Sequence, residues 1–211
     1  MKIFRIATWA CVFLMAGLLA FLTLDNAFNG PLAERRANGS STPLQGALPQ
    51  IGGSFEAVRT DGTTITQQDI LGRPHAMFFG FTHCPDVCPT TLYEASQWLD
   101  ALGPAAEEID VYFVSVDPAR DTPEVLKDYI TSFGDEITGI TGTEAQIAEM
   151  AKKYRIFYER IDDEDGDYTV NHSASTLLFA PDGTLFGTIA YGEQSETAVA
   201  KMRRLAEAGE T

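Results

Sequence analysis

Basic residues are scarce in this chain of 211 residues, which has 15 lysines and arginines against 30 aspartates and glutamates. The part from residue 51 onward contains 11 basic and 28 acidic residues, so its formal charge is −17. A domain this acidic repels nucleic acids, which excludes nucleic-acid binding as its function. The charge favours solubility. The acidic run at 162–167 (DDEDGD) has two interpretations, a solvated loop or a docking face for a basic partner.

Internal repeats and long low-complexity segments are absent as well, and the length suits one globular domain with an additional N-terminal segment. Residues 6–24 (IATWACVFLMAGLLAFLTL) contain no charged side chain. A helix of this length reaches about 28 Å, close to the thickness of a bilayer's hydrocarbon core. We therefore expect a transmembrane anchor. A cleaved secretory signal is the alternative, but the apolar region of such signals spans roughly 7–15 residues, and no small-x-small cleavage site follows.

The charges near the apolar segment predict its orientation. Lys2 and Arg5 precede it, so the positive-inside rule places residues 1–5 in the cytoplasm. Residues 25–50 are rich in Gly, Pro, Ser and Asn without apolar periodicity, which predicts a flexible linker to a domain at 51–211. Because the N-terminal segment lacks an Arg-rich transit peptide, we expect a bacterial inner membrane protein with its domain in the periplasm.

Strand and helix signals alternate along the domain. The apolar runs 75–81 (HAMFFGF) and 111–116 (VYFVSV) predict strands buried on both faces, and Pro89 and Thr122-Pro123 indicate helix starts. This layout predicts an α/β domain with a thioredoxin-like fold, a mixed central sheet flanked by helices, on a single N-terminal transmembrane helix. Helices are predicted at 92–102, from 123 to about 133, from 144 to about 154 and from about 194 to 208, with further β-prone pieces at 54–66, 156–160, 175–180 and 184–192.

Cysteine is scarce too, with three residues in the whole chain. Cys11 lies in the apolar span. We expect it to serve there as a small apolar residue and to form no disulfide with Cys84 or Cys88. Cys84 and Cys88 follow the first buried strand, at the edge where open α/β sheets place their sites. The position of this pair therefore favours function over packing.

Three interpretations of Cys84 and Cys88 follow from their spacing, which is one residue longer than a redox CxxC motif. Across a helical turn their β-carbons lie about 5–6 Å apart, which permits metal binding and, after modest movement, a disulfide. The pair is therefore a redox-active dithiol, part of a metal site or a structural disulfide. A structural disulfide would add little stability, because the loop that it closes is short. The adjoining helix N-terminus is expected to lower the pKa of both thiols.

A metal site needs a further ligand, and the chain has only three histidines. His75 begins a buried strand and His83 directly precedes Cys84, so we expect packing or hydrogen-bonding roles for both. His172 lies in a polar break between β-prone pieces, where a loop would bring it over the cysteines. Two thiolates and one imidazole would suit copper, because thiolate selects Cu(I) and imidazole also accepts Cu(II).

Several motifs resemble those of the Sco/SenC family of membrane-anchored copper proteins. They are FGFTHCPDVCPTTL (79–92), VSVDPARDTPEVLKDYI (114–130), ITGTEAQI (140–147) and VNHSAST (170–176), and the similarity extends in order over residues 50 to 208. The resemblance implies a thioredoxin-like domain on one transmembrane anchor. It also implies a single copper ion, Cu(I) or Cu(II), bound by Cys84, Cys88 and His172.

The same resemblance implies a partner, cytochrome c oxidase subunit II. Family members deliver copper to the CuA centre of that subunit or keep its cysteines reduced, so other copper chaperones or thiol reductases are further possible partners. Asp117 and Asp121, in DPARD, have two interpretations. They either form hydrogen bonds to the metal ligands and so adjust the properties of the site, or they cap turns, with Arg120 paired to one of them. A redox-active disulfide between Cys84 and Cys88 would remove two copper ligands together.

A copper chaperone would not be an enzyme in the turnover sense. Two alternative functions use the same cysteines. A thiol-disulfide oxidoreductase needs Cys84 and Cys88 but not His172. A peroxiredoxin-like peroxidase is disfavoured because its PxxxTxxC signature requires threonine where this chain has Phe81.

Overall fold

The computed structural model describes residues 50–209. The predicted cytoplasmic segment 1–5, the anchor 6–24 and all but the last residue of the predicted linker lie outside this range. Within residues 50–209, no helix combines the length and the apolar character that crossing a membrane requires.

A seven-stranded mixed sheet forms the centre of the domain. Its strands are β1 (Glu56–Arg59), β2 (Thr64–Thr66), β3 (His75–Gly80), β4 (Asp110–Ser115), β5 (Ile137–Thr141), β8 (Thr176–Phe179) and β9 (Leu185–Ile189). They lie in the order β2-β1-β5-β4-β3-β8-β9. The three middle strands, β5, β4 and β3, are parallel, and the outer pairings are antiparallel. The mixed sheet predicted from the sequence is confirmed. A separate hairpin contains β6 (Tyr158–Asp162) and β7 (Tyr168–His172).

Helices cover the sheet, and their starts follow the sequence signals. Thr122 accepts a hydrogen bond from the backbone N–H of Val125, and Thr143 forms a capping box with Gln146. The second helix packs against the last one, which closes the domain. The helices are α1 (Gln67–Ile70), α2 (Val87–Leu102), α3 (Pro123–Ile130), α4 (Glu144–Lys153) and α5 (Ser195–Gly209), with 3-10 turns at Gly103–Glu108 and Thr131–Phe133.

The two central strands explain where the site forms. Every residue of β3 is buried, as expected of a strand covered on both faces. β3 and β4 are parallel, and Gly80 at the end of one pairs with Ser115 at the end of the other. Their carboxyl ends therefore meet at one edge, which brings the cysteine loop beside the DPARD loop.

Several features of the fold differ from the sequence prediction. Helix α1 and the 3-10 turn at Gly103–Glu108 were not predicted, and α2 begins at Val87, before the predicted range 92–102. Strand β5, with the sequence ITGIT, was not expected, because Thr and Gly interrupt its apolar residues. His172 was expected in a polar loop but is the last residue of β7, paired with Tyr158. The polar residues around it belong to a two-stranded hairpin with a largely exposed surface, which therefore lacks an apolar run. The acidic run lies at the exposed tip of this hairpin.

Candidate metal centre

The two cysteines lie on either side of the start of α2. Cys84 is in the loop that follows β3, where its backbone N–H donates to the carbonyl of Phe81. Cys88 is the second residue of α2 and is completely buried. Its backbone N–H points at the Cys84 sulfur, with 3.4 Å between the two atoms. The helix N-terminus thus stabilises negative charge on Cys84.

His172 reaches the cysteines from the hairpin. Its Nε2 atom lies 3.4 Å from the Cys88 sulfur, and its Nδ1–H donates to the carbonyl of Ser173 at 2.9 Å. This second bond fixes the tautomer and leaves the Nε2 lone pair facing the sulfur. The imidazole also packs edge-on against Phe78 and Phe81, which fixes the plane of the ring.

The structure brings the three predicted ligands together. The two sulfur atoms and one imidazole nitrogen all lie within 4.8 Å of one another. Three ligands bound at about 2.3 Å around one metal would lie about 4 Å apart, so only small movements are needed. Both cysteines are free thiols. Two soft sulfurs and one imidazole form a donor set that fits copper.

The two thiols differ strongly in acidity. A hydrogen bond from Cys88, assisted by backbone N–H groups of the helix start, lowers the pKa of Cys84 to about 3 despite partial burial. The pKa of Cys88 is raised, because it donates to Cys84 and is buried. The expectation that both values fall is therefore wrong for Cys88, since a sulfur hydrogen-bonded to a thiolate retains its own proton. Cys84 is the thiolate and the nucleophile of the pair.

Asp121 links the two loops beneath the site. Its carboxylate is buried and accepts hydrogen bonds from the backbone N–H of Thr82 at 3.0 Å, the Thr82 hydroxyl at 2.6 Å and the Ser115 hydroxyl at 2.6 Å. It makes no hydrogen bond to a sulfur or to His172 in the described part of the chain. Its contact with the site runs through Thr82, two residues before Cys84.

Asp117 also contacts the site through other residues. It is buried and accepts hydrogen bonds from Arg120 and from the Tyr168 hydroxyl, so it pairs with Arg120 as one interpretation of DPARD expected. The other two histidines have the roles predicted for them. His75 is buried and stacks on Phe179, and His83 makes a hydrogen bond with the Thr82 hydroxyl.

Sequence reasoning missed three residues that shape the site. Gly80 leaves room for the Cys88 sulfur, which would lie 2.7 Å from a β-carbon at this position. An isolated glycine at the end of an apolar strand is a signal of such close approach. Thr82 and Tyr168 carry no signal of this kind, because their roles depend on contacts with residues 39 and 51 positions away.

The fold and the three converging ligands define a thioredoxin-like domain with a thiolate-imidazole metal centre. The sequence model of the SCO1/SenC family matches residues 45–207, which is more than half of the chain. The chain therefore belongs to the SCO1/SenC family, and the resemblance noted in its motifs is confirmed.

Two named relatives match well over half of this chain. Protein SCO1 homolog 1, mitochondrial, from Arabidopsis thaliana is 36% identical over 133 residues, 63% of this chain and 40% of the relative. Protein SCO2, mitochondrial, from Saccharomyces cerevisiae is 32% identical over 200 residues, 93% of this chain and 65% of the relative. This chain thus spans about two fifths to two thirds of the length of these two proteins.

A solved structure shows the same fold. Bradyrhizobium japonicum ScoI, determined with copper bound, is 39% identical to this chain, with a TM-score of 0.69. The match covers 74% of this chain and 99% of the other. The thioredoxin-like fold predicted from the sequence is therefore confirmed for the domain.

Proposed function

We propose that this protein is a copper chaperone that binds one copper ion through Cys84, Cys88 and His172. The observation that carries the proposal is the convergence of three ligand atoms within 4.8 Å, although His172 lies 84 positions after Cys88 in the sequence. The copper bound to the related ScoI structure supports the choice of metal. One thiolate is already available, because the pKa of Cys84 is lowered to about 3.

The target that we propose is the CuA site of cytochrome c oxidase subunit II, during assembly of the oxidase. A three-coordinate copper site leaves a position through which a thiolate of the acceptor enters, so the ion passes by ligand exchange. Cys84 is partly exposed and Cys88 is buried, which makes Cys84 the ligand that an acceptor reaches first. The proposed location is a bacterial inner membrane, with residues 6–24 as a single anchor and the domain in the periplasm.

The experiment that tests this proposal is a titration of the reduced full-length protein with Cu(I) and with Cu(II). Wild type is compared with Cys84→Ser, Cys88→Ser and His172→Ala. We expect wild type to bind one equivalent, each cysteine variant to lose Cu(I) binding, and His172→Ala to bind Cu(II) at least tenfold more weakly. Equal affinity of His172→Ala and wild type for both copper states would contradict the three-ligand site.

The alternative function is reduction of a disulfide in the oxidase subunit, and the unequal acidity of the two thiols favours it. The Cys84 thiolate would attack the target disulfide and form a mixed disulfide. Cys88 would then attack the Cys84 sulfur, release the target as a dithiol and leave a Cys84–Cys88 disulfide, which an external thiol reductant would reduce. A wild-type protein that binds no copper but reduces an oxidised subunit II peptide would establish this function instead.

A further inference from the structure

The hairpin that carries His172 has no strand pairing with the central sheet in the described part of the chain. Its two strands pair only with each other, and Val170 is its one buried apolar residue. The position of His172 therefore depends on the short chain segments that join the hairpin to the domain and on contacts between the hairpin and the rest of the domain. A cluster of such contacts lies at Tyr168, at the other end of β7.

Tyr168 is held by three groups. The guanidinium carbons of Arg120 and Arg160 each lie 3.6 Å from the centroid of its ring, so they occupy opposite faces, since one face has no room for both. Its hydroxyl donates to a carboxylate oxygen of Asp117 at 2.8 Å. Arg160 belongs to the hairpin, whereas Asp117 and Arg120 belong to the loop after β4. The ring of Tyr168 is therefore fixed to the body of the domain.

Arg120 adds backbone and aromatic contacts to this connection. It donates to the Asp117 carboxylate through Nε and to the Tyr168 carbonyl through Nη1, the latter at 2.9 Å. Its guanidinium also lies 5.9 Å from the ring of Phe81, which packs edge-on against His172. The side chain of Arg120 is only 17% exposed, so water weakens these interactions little.

We propose that Asp117, Arg120 and Tyr168 form a hairpin clamp that positions His172 for copper binding. Tyr168, Val170 and His172 occupy alternate positions of one strand and therefore share a face, about 13 Å from end to end. Fixing one end of so short a strand sets the direction of the other. This inference rests on the proposed function, because it assumes that His172 is a copper ligand.

The test compares Arg120→Ala and Tyr168→Leu in the full-length protein, each alone and combined with His172→Ala. We expect each single change to weaken Cu(II) binding at least tenfold and to reduce the nitrogen hyperfine signal of imidazole in the electron paramagnetic resonance spectrum. Cu(I) binding should weaken by less than threefold, since the two sulfurs suffice for it. In the His172→Ala background, neither change should weaken Cu(II) binding further, because both act through His172.

Arg160→Ala is the matched control. The substitution removes the guanidinium from the other face of the Tyr168 ring. In the wild type, Arg160 forms its ion pair with Asp162 of the same hairpin. We expect Cu(II) affinity within twofold of wild type. Thermal unfolding of every variant verifies that it is folded at the temperature of the titration. Any variant that is unfolded at this temperature is replaced by Tyr168→Phe, which removes only the hydrogen bond to Asp117.

The outcomes separate this inference from the proposed function. If His172→Ala weakens Cu(II) binding while Arg120→Ala and Tyr168→Leu bind like wild type, the clamp is wrong and the chaperone proposal stands. If the clamp variants weaken binding equally with and without His172, they act on the cysteines and the clamp is again wrong. If His172→Ala itself binds like wild type, the proposed ligand set fails first.

Discussion

Gly80 is the residue on which the position of the buried sulfur depends. A β-carbon added there would lie 2.7 Å from the Cys88 sulfur and 2.7 Å from a ring carbon of Phe113. Both neighbours are completely buried in the core and have little room to move. The end of β3 therefore needs glycine for the close approach of the Cys88 sulfur and the Phe113 ring, and not for an unusual backbone conformation.

Gly80→Ala should therefore both destabilise the protein and weaken copper binding. We expect a loss of about 1–3 kcal/mol from overpacking, measured by chemical denaturation, and Cu(I) binding weakened at least tenfold by displacement of Cys88. Gly187→Ala, in β9, is the control, because no atom of the described residues lies within 4 Å of the added carbon, its own chain neighbours aside. Equal stability and copper affinity in the two variants would show that the core absorbs the added methyl group.

His75 predicts how stability depends on pH. It is completely buried between Tyr112 and Phe179, and its Nδ1–H donates to the carbonyl of Arg73. Its Nε2 has no hydrogen-bond partner among residues 50–209. Burial lowers the pKa of His75 below its ordinary value of 6.5, although the bond to Arg73 and the charge of Asp110 act in the opposite direction. The folded protein thus keeps this histidine neutral where the unfolded chain takes up a proton.

We expect the wild type to lose stability relative to His75→Phe as the pH falls below 6.5. Because the unfolded state binds the extra proton, the stability contributed by neutral His75 is present above 6.5 and is lost below it, by at most about 1.4 kcal/mol per pH unit. Phenylalanine retains the stacking and does not titrate. Denaturation curves at several pH values from about 8 to 5 measure this difference. A difference that stays constant over that range would contradict the assignment.

The strands and helices show how much of the fold the sequence determines locally. β3 and β4 were predictable because their apolar runs are continuous, and α3 and α4 because proline and threonine mark their starts. β5 was not, because Gly139 interrupts it. That glycine is required by tertiary packing, since a β-carbon there would lie 2.6 Å from the side chain of Thr60.

The site was predictable to a similar degree. The spacing of Cys84 and Cys88 at the end of β3 indicated a functional pair from local sequence alone. His172 was assigned only through the family motifs, because its residue type and its polar surroundings do not specify a contact 84 residues away. Asp117 and Asp121 were identified, but their partners Tyr168 and Thr82 were not, since those pairings depend on how the loops and the hairpin meet.

The connection between the loops after β3 and β4 depends on Asp121. Asp121→Ala would remove the acceptor of three donors, one buried on Ser115 and two partly buried on Thr82. We expect a loss of about 2–4 kcal/mol in the free energy of unfolding and weaker copper binding, because the loop that carries Cys84 loses its attachment. Denaturation and copper titration measure the two effects.

Asp121→Asn provides the matched comparison. Its amide oxygen retains an acceptor for the Thr82 backbone and the Ser115 hydroxyl, and the Thr82 hydroxyl is able to rotate and accept from the amide. We therefore expect most of the stability and copper affinity to return. An asparagine variant as impaired as alanine would indicate that the negative charge of Asp121, and not its hydrogen bonds, supports the site.

The surface charge of the domain makes a prediction about salt. Two effects oppose each other, because salt screens both the repulsion among the acidic residues and the attraction within ion pairs. Pairs such as Arg73–Asp110 and Lys153–Glu149 are partly exposed, and pairs of this kind contribute about 0–1 kcal/mol each. The formal charge of −17 from residue 51 onward should therefore dominate, since compaction brings all of its excess negative charge together.

We expect the thermal unfolding midpoint of the full-length protein to rise as NaCl increases from about 0.01 M to about 0.5 M, which shortens the screening length from about 30 Å to less than 10 Å. Glu164→Lys, at the exposed tip of the hairpin, removes a negative charge from the acidic run and adds a positive one. It should raise the midpoint at low salt and reduce the dependence on NaCl. A midpoint that falls with salt in wild type would mean that the ion pairs outweigh the repulsion, and the acidic surface would then contribute little to the stability of the fold.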